Sequence, residues 1–361
     1  MKKDFELSWH YPRTRLAQAY LMTLESGAPT MAIFAERRKG KTEFLTDDMT
    51  PLAESKGHRC CYVNFWEDRT NPVACIVNGV NRSLKSELVG VLRGWKKEIS
   101  VNLGALQAKI TKDADASIQT ANAALQCLLE PDGTILLQCD EIQHLATSPE
   151  FEDVTASLRT WIDSNKKRVR TIFTGSSQDN LNRLFRNQRA AFYNSASIVP
   201  FPDMTIEFAE FLSRRFHYLT GRSLPAELIM PVFIENHSSP AFIVELLQVM
   251  VRDGYYDLDT GLAYYYKLHP RNEDNLQIWN ALSLIDRKIL VKLAKPEAGS
   301  LYTRESYDSL SKEIGVKVSK SSIQNSLNRM REAGLLINQG RGVWEFENSG
   351  FKSFVAGAEG F

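Results

Sequence analysis

Residues 31–45, MAIFAERRKGKTEFL, constrain this chain more than any other stretch. A short apolar run, Met31 to Phe34, enters a polar loop that closes on Gly40-Lys41-Thr42 and continues as a helical pattern. A loop of this kind opening a helix aims backbone N–H groups into one concavity, which suits a phosphate. The lysine then reaches the β- and γ-phosphates, and the hydroxyl after it ligates Mg2+. Lys41 and Thr42 occupy those two positions. Ala35 stands where glycine usually opens the loop, in a place that needs only a conformation open to a small residue. The nucleotide-contacting candidates are therefore Ala35, Arg37, Arg38, Lys39, Gly40, Lys41, Thr42 and Glu43.

Such a loop needs a parallel α/β sheet around it, and the first 200 residues carry its pattern. Residues 31–35, 58–65, 133–140, 168–175 and 196–201 read as strands that are apolar on both faces. Helical patterns fall between them, at 42–56, 72–97 and 151–165. Past Met204 the strand signal stops. Ile206, Phe208, Ala209, Phe211, Leu212 and Phe216 form one helical stripe that ends at Gly221, and further helices open at Pro225 and at Ser239-Pro240. The polar stretch 267–276 reads as a linker. Beyond it, three amphipathic segments precede LLINQGRGVWEFE, which alternates around Gly340 and Gly342 as a hairpin does. Ile285, Ile289 and Leu290 face inward on the first helix, and Ile323, Leu327 and Met330 on the third, which Ser319 caps. The expected architecture is a parallel-sheet core over 1–203, a helical lid over 204–266 and a winged helix-turn-helix over 277–361.

Two further motifs bear on the phosphate loop. TILLQCDEIQ is an apolar strand ending in Asp140-Glu141. An aspartate at such a tip can hold the Mg2+ shell with Thr42, and the glutamate after it can polarise an attacking water. A buried strand that meets solvent at two acids is the plain alternative. TIFTGSS ends on Thr174, Ser176 and Ser177, which can place a hydroxyl between the glutamate and the γ-phosphate; an ordinary strand-to-turn transition also fits. The catalytic set is thus Glu141, Lys41 and Ser176. Arg183, Arg186 and Arg189 follow, each a candidate arginine finger toward a neighbouring subunit's nucleotide, or simply a solvated side chain.

AERRKGKTEFL, LLQCDEIQ and TIFTGSS together resemble the P-loop ATPases of the archaeal-ATPase type, in the STAND and AAA+ group of the ASCE class. That family's loop commonly carries two arginines before the glycine-lysine pair, as Arg37 and Arg38 do. DMTIEFAEFLSRRFHYLTGRSLP is similar to its first lid helix. HSSPAFIVELL is similar to a lid motif in which a glycine-proline pair packs near adenine; Ser239 replaces the glycine and Pro240 is kept. The resemblance spans about residues 10–255 and implies an ATP-driven switch that self-associates on binding ATP. An early arginine of the sensor-2 kind is missing after Pro240, which favours the STAND-like branch and slow or partner-stimulated turnover. A winged helix after such a core is also seen in origin-recognition and some transposon ATPases, so the resemblance implies mobile-element, replication-initiation or defence-type DNA transactions.

In a helix-turn-helix the second helix of the pair reads the major groove. Here it offers Ser319, Lys320, Ser321, Gln324, Asn325, Asn328 and Arg329, while Arg341 at the wing tip can meet phosphate or a minor groove. Residues 277–361 hold 12 Lys+Arg and 9 Asp+Glu, an excess of 12 − 9 = 3 positive charges. That is modest, and winged helices also dock proteins, so duplex DNA and a protein partner both stand as readings. A signalling ATPase or a structural adaptor without a DNA role is the rival class. The net charge of +1 gives no global pull toward nucleic acid or membrane, and no run is long enough to span one. The five cysteines lack metal or disulfide spacing, which fits reduced thiols in a cytoplasmic protein.

Overall fold

The apolar runs fold as five parallel strands. The computed structural model describes residues 8–90, 118–130, 132–176, 184–269, 273–295, 301–340 and 342–357. In chain order the elements are α1 (Thr14–Glu25), β1 (Thr30–Phe34), α2 (41–55), β2 (Arg59–Asn64), α3 (Pro72–Gly90), α4 (Ile118–Cys127), β3 (Ile135–Asp140), α5 (Glu152–Ser164), β4 (Val169–Gly175) and β5 (Ser197–Pro200). The sheet order is β2-β3-β4-β1-β5, every neighbouring pair parallel. One strand, β4, therefore stands between the strand that launches the phosphate loop and the strand that ends in the two acids.

Period-two alternation divides the core between the two faces of this sheet. Met31, Ile33, Leu136 and Ile172 pack with α1 and α2 on one side. Ala32, Leu137, Cys139 and Phe173 pack with α3, α4 and α5 on the other. The inner strands are buried on both faces, as a covered parallel sheet requires, while the edge strand β5 is mostly exposed.

Helix α2 is irregular where it matters. It opens as α-helix over Lys41–Glu43, loosens to a π-helix over Phe44–Met49 and returns to α-helix over Thr50–Ser55. The Leu45 carbonyl at the loosened turn accepts from the Thr50 hydroxyl at 2.9 Å and from Gln138 Nε2 at 3.0 Å. The Thr50 hydroxyl also lies 3.0 Å from Gln138 Oε1. The buried Gln138 amide thereby fastens the helix after the phosphate loop to the strand that carries Asp140.

The chain divides into two compact units, one from His10 to Pro202 and one from Asp203 onward that also takes in the N-terminal residues up to Trp9. The second begins with α6 (Ile206–Thr220), α7 (Ala226–Glu235), α8 (Pro240–Asp253) and α9 (Leu258–Leu268). Ser239 caps α8 by accepting from the Phe242 N–H at 3.3 Å. The stripe on α6 buries Phe208, Ala209, Leu212 and Phe216 as expected, whereas Ile206 is exposed and Arg215 is buried. Much of the expected linker 267–276 is helical, since Leu268 ends α9 and α10 covers Glu273–Ala281.

The winged helix-turn-helix follows as α11 (Leu284–Ala294), α12 (Arg304–Ile314), α13 (Lys320–Glu332) and the antiparallel hairpin β6 (Leu336–Gly340) with β7 (Val343–Phe346). Ile289, Leu290, Ile323, Leu327, Met330 and Leu336 form its core, each fully buried. Ser319 caps α13 by accepting from the Ser322 N–H at 3.1 Å. A last helix, α14 (Ser349–Gly357), adds Phe351 and Val355 to this core; the sequence reading did not anticipate it. All five cysteines are free, and no helix among the described residues is long and apolar enough to cross a membrane.

Candidate active site

The loops leaving β1, β2, β3 and β4 lie at the carboxyl edge of the sheet, where open parallel sheets bind ligands. Ala35 is not among the residues with a positive φ, so the backbone demands no glycine there. The left-handed positions are instead Arg38 at φ 63 and Gly40 at φ 84. Those reversals fold residues 35–40 back over the start of α2, the kind of backbone concavity that cradles anions. A Cβ at Gly40 would also come 3.3 Å from Glu43 Oε2, and the positive φ alone strains any substitution.

Lys41 is 5 % exposed and donates to the Ala35 carbonyl at 2.6 Å and the Glu36 carbonyl at 2.8 Å. Burial holds its pKa below the ordinary lysine value, against the pull of Glu141 and Asp140 toward the charged form, and Arg37 adds to the lowering. The Lys41 Nζ thus sits inside the loop, within electrostatic reach of both acids.

Asp140 gathers four donors. Its Oδ2 accepts from the Thr42 and Tyr62 hydroxyls, both at 2.7 Å, and its Oδ1 from the Thr174 hydroxyl and the Glu141 N–H, the latter at 3.0 Å. Thr42 was expected beside Asp140 from the motif spacing. Tyr62 was missed, and burial followed by the neighbouring carboxylate raises its phenol pKa well above the usual range. Thr174 does not join Glu141, as its grouping with Ser176 implied; it bonds Asp140. Thr174 lies within β4 and Ser176 just past its end, and the two hydroxyls meet different acids.

Glu141 takes a left-handed backbone, φ 54, directly after β3. Its Oε2 accepts from the Ser176 hydroxyl at 2.8 Å and from Gln143 Nε2. The expected Glu141–Ser176 pairing is present, and Gln143 is a third member that the sequence reading passed over. Alongside, Arg37 lies over the Trp66 ring at 4.7 Å and Arg69 at 5.0 Å, while His144 meets that ring edge-on at 4.6 Å. Burial, with Arg69 and Arg37 nearby, lowers the His144 pKa against the pull of Glu141. The first loop arginine is therefore stacked on an aromatic of the β2–α3 connection.

The remaining candidates are scattered. Arg186 and Arg189 are exposed in turns after β4, and Arg183 lies outside the described residues. Pro240 is the first residue of α8 in the second unit. On α13, Lys320, Ser321 and Asn325 are exposed, whereas Gln324 and Asn328 are half-buried. The Tyr302 hydroxyl donates to Gln324 Oε1 at 2.8 Å, and Gln324 Nε2 donates to Asn328 Oδ1 at 3.3 Å. Arg329, grouped with the base-reading side chains, instead donates to both oxygens of the buried Asp286, at 2.7 and 2.9 Å. Arg341 lies outside the described residues.

No protein-family model and no curated protein matches the chain. Among solved structures it is similar to a Walker-type ATPase of Pyrococcus abyssi, with a TM-score of 0.63 at 14% identity, covering 96% of this chain and 98% of that one. It is also similar to the ORC2 protein of Aeropyrum pernix in its ADP form, with a TM-score of 0.61 at 15% identity, covering 97% and 98%. At these identities the likeness is one of fold: a Walker-type ATPase core followed by a helical region with a C-terminal winged-helix hairpin.

Proposed function

We propose that this protein is an ATP-binding and ATP-hydrolysing switch that engages duplex DNA through its winged helix. The observation that carries the ATP reading is the convergence of Lys41, Thr42, Asp140, Glu141 and Ser176 from three strand ends onto one edge of the sheet. Each group suits one task. The reversed loop offers N–H groups to the phosphates, and Lys41 turns from the loop carbonyls to the β- and γ-phosphates. Glu141 accepts a proton from the attacking water. The Thr42 hydroxyl and Asp140 carboxylate, 2.7 Å apart, are the hard oxygen pair that suits Mg2+, an ion that completes its shell with waters and phosphate oxygens. Bound there, Mg2+ neutralises charge building on the phosphates. The ADP form of the similar ORC2 protein supports a nucleotide at such a site.

The DNA reading is supported by the winged-helix architecture and by Lys320, Ser321 and Asn325 standing exposed along the N-terminal half of α13. A protein-docking role is the second reading, and one observation favours it: Arg329 and Gln324 are held by Asp286 and Tyr302 within their own unit. Self-association on ATP binding, with Arg186 or Arg189 reaching a neighbour's nucleotide, belongs to the same proposal.

Steady-state turnover with and without duplex DNA tests it, beside Glu141→Gln. Turnover that duplex DNA stimulates, and that Glu141→Gln lowers by about 10²–10⁴-fold while keeping ATP affinity, is the expected result. Equal rates in the two proteins would remove Glu141 from the chemistry. Turnover indifferent to DNA would favour the protein-docking role.

A further inference from the structure

We propose that Gln143 is a positioning residue for Glu141, its amide and the Ser176 hydroxyl together holding one carboxylate oxygen so that the other is presented to the attacking water. The inference rests on the reading of Glu141 as the base for ATP hydrolysis.

The three side chains form a closed triangle. Gln143 Nε2 and Ser176 Oγ both donate to Glu141 Oε2, and Gln143 Nε2 lies 3.2 Å from Ser176 Oγ. Among the described residues nothing donates to Glu141 Oε1, so that oxygen keeps its lone pairs for an incoming O–H. The main chain beneath is fixed as well. The Glu141 N–H is bound to Asp140 Oδ1 at 3.0 Å, and the Glu141 carbonyl accepts from the His144 N–H at 3.1 Å. A glutamate carries three rotatable bonds, and two donors on one oxygen select a single rotamer of a side chain that otherwise has many.

Gln143 itself is a poor choice for packing alone. It is 2 % exposed, yet its Oε1 has no hydrogen-bond partner. Buried amides normally satisfy both ends, and a methionine or leucine would fill the same slot without stranding an oxygen. The slot exists because β4 ends in glycine. A Cβ at Gly175 would lie 2.6 Å from Gln143 Oε1 and 2.9 Å from Phe34 Cε1. The fold thus opens room for an amide whose acceptor goes unused and whose donors reach Glu141. That asymmetry points to the N–H groups as the reason for glutamine here.

The test uses the full chain with Gln143→Met, Glu141→Gln and the double variant, measuring kcat and KM for Mg-ATP, nucleotide affinity and thermal unfolding. Gln143→Met keeps the length and removes the donors. It is expected to lower kcat by roughly 10- to 100-fold with KM and nucleotide affinity within about twofold of wild type and no loss of thermal stability. In the Glu141→Gln background it is expected to add nothing, because the two groups act as one unit. Gln143→Asn, which keeps the amide and retracts it by one methylene, gives a second route to the same kcat loss if the methionine variant does not fold. A kcat within about twofold of wild type in a folded Gln143 variant overturns the inference, as does a parallel loss of nucleotide affinity and kcat. Unchanged turnover in Glu141→Gln overturns the base assignment and this inference with it. Loss in Glu141→Gln but not in the Gln143 variants overturns this inference alone.

Discussion

The carboxyl edge of the sheet and the exposed face of α13 use polar side chains in opposite ways. At the sheet edge, groups from separate elements converge: Thr42 from α2, Tyr62 from β2 and Thr174 from β4 all donate to Asp140. Along α13 two polar groups are tied within their own unit, the still-exposed Arg329 to Asp286 and the half-buried Gln324 to Tyr302. Convergence on a buried carboxylate costs desolvation, and packing alone favours apolar groups in such a place. The ties along α13 hold these side chains within the winged helix. The lesson is that the ATP reading rests on side chains that have no structural excuse, while the DNA reading rests on the few that remain exposed.

The largest effect that separates the two regions is expected from Lys41→Ala. Removing the charged donor that the proposal assigns to the phosphates should weaken ATP binding by about 10- to 100-fold, as titration calorimetry would read. The C-terminal unit should unfold as before; a shift in its transition would break the separation drawn here. Next comes Asp286→Ala, which deletes the reciprocal cap with Ser283 and the partner of Arg329. It should destabilise the winged helix by about 1–2 kcal/mol in thermal unfolding and free Arg329, without changing ATP affinity. If the freed arginine tightens duplex binding, the tie is a restraint on DNA reading as well as a cap.

A smaller change is expected from Tyr62→Phe, which removes one of the four donors on Asp140. A loss of about 1 kcal/mol in stability is expected, with the Mg2+ concentration needed for half-maximal turnover showing whether this hydroxyl also tunes the metal site. The smallest is His10→Gln. His10 is held to the buried Asp48 at 3.1 Å. Burial, the largest single influence, disfavours its charge, but the bond to Asp48 and the charges of Asp48, Asp47 and Glu43 outweigh it and raise the pKa above 6.5. A raised folded pKa means the contribution is fully present below pH 6.5 and fades as the pH climbs through the folded value. His10→Gln should therefore cost under about 1 kcal/mol at pH 6 and close to nothing at alkaline pH; equal effects at both would contradict the assignment.

Much of the fold was legible because its strands are apolar on both faces and its helices carry clean stripes. The gathering of the candidate site was legible where residue type and spacing single out a position, as with Lys41, Thr42, Asp140 and Glu141. Tyr62 was not, because tyrosine is an ordinary strand residue and only the pairing of Tyr62 with Gln138 in the β2–β3 register brings its hydroxyl to Asp140. Gln143 was hidden for a related reason. Its position follows from a short 3-10 turn over Ile142–Ala146 and from the absence of a Cβ at Gly175, neither of which has a sequence period. Arg329 is itself exposed, with 57 % of its side chain accessible, so a pattern of exposed faces could not reveal its partner forty-three residues earlier. Helix α14, at Ser349–Gly357, has two glycines and a short apolar pair, too weak a stripe to read without the core that covers it.

The most direct test of the central claim is a duplex-DNA titration without nucleotide, with ADP and with a slowly hydrolysed ATP analogue, run beside Lys41→Ala. The account predicts that the analogue tightens DNA binding and that Lys41→Ala abolishes the difference between nucleotide states. DNA binding absent in every state, with the analogue still bound by the wild-type chain, would contradict it and assign the winged helix to protein contacts.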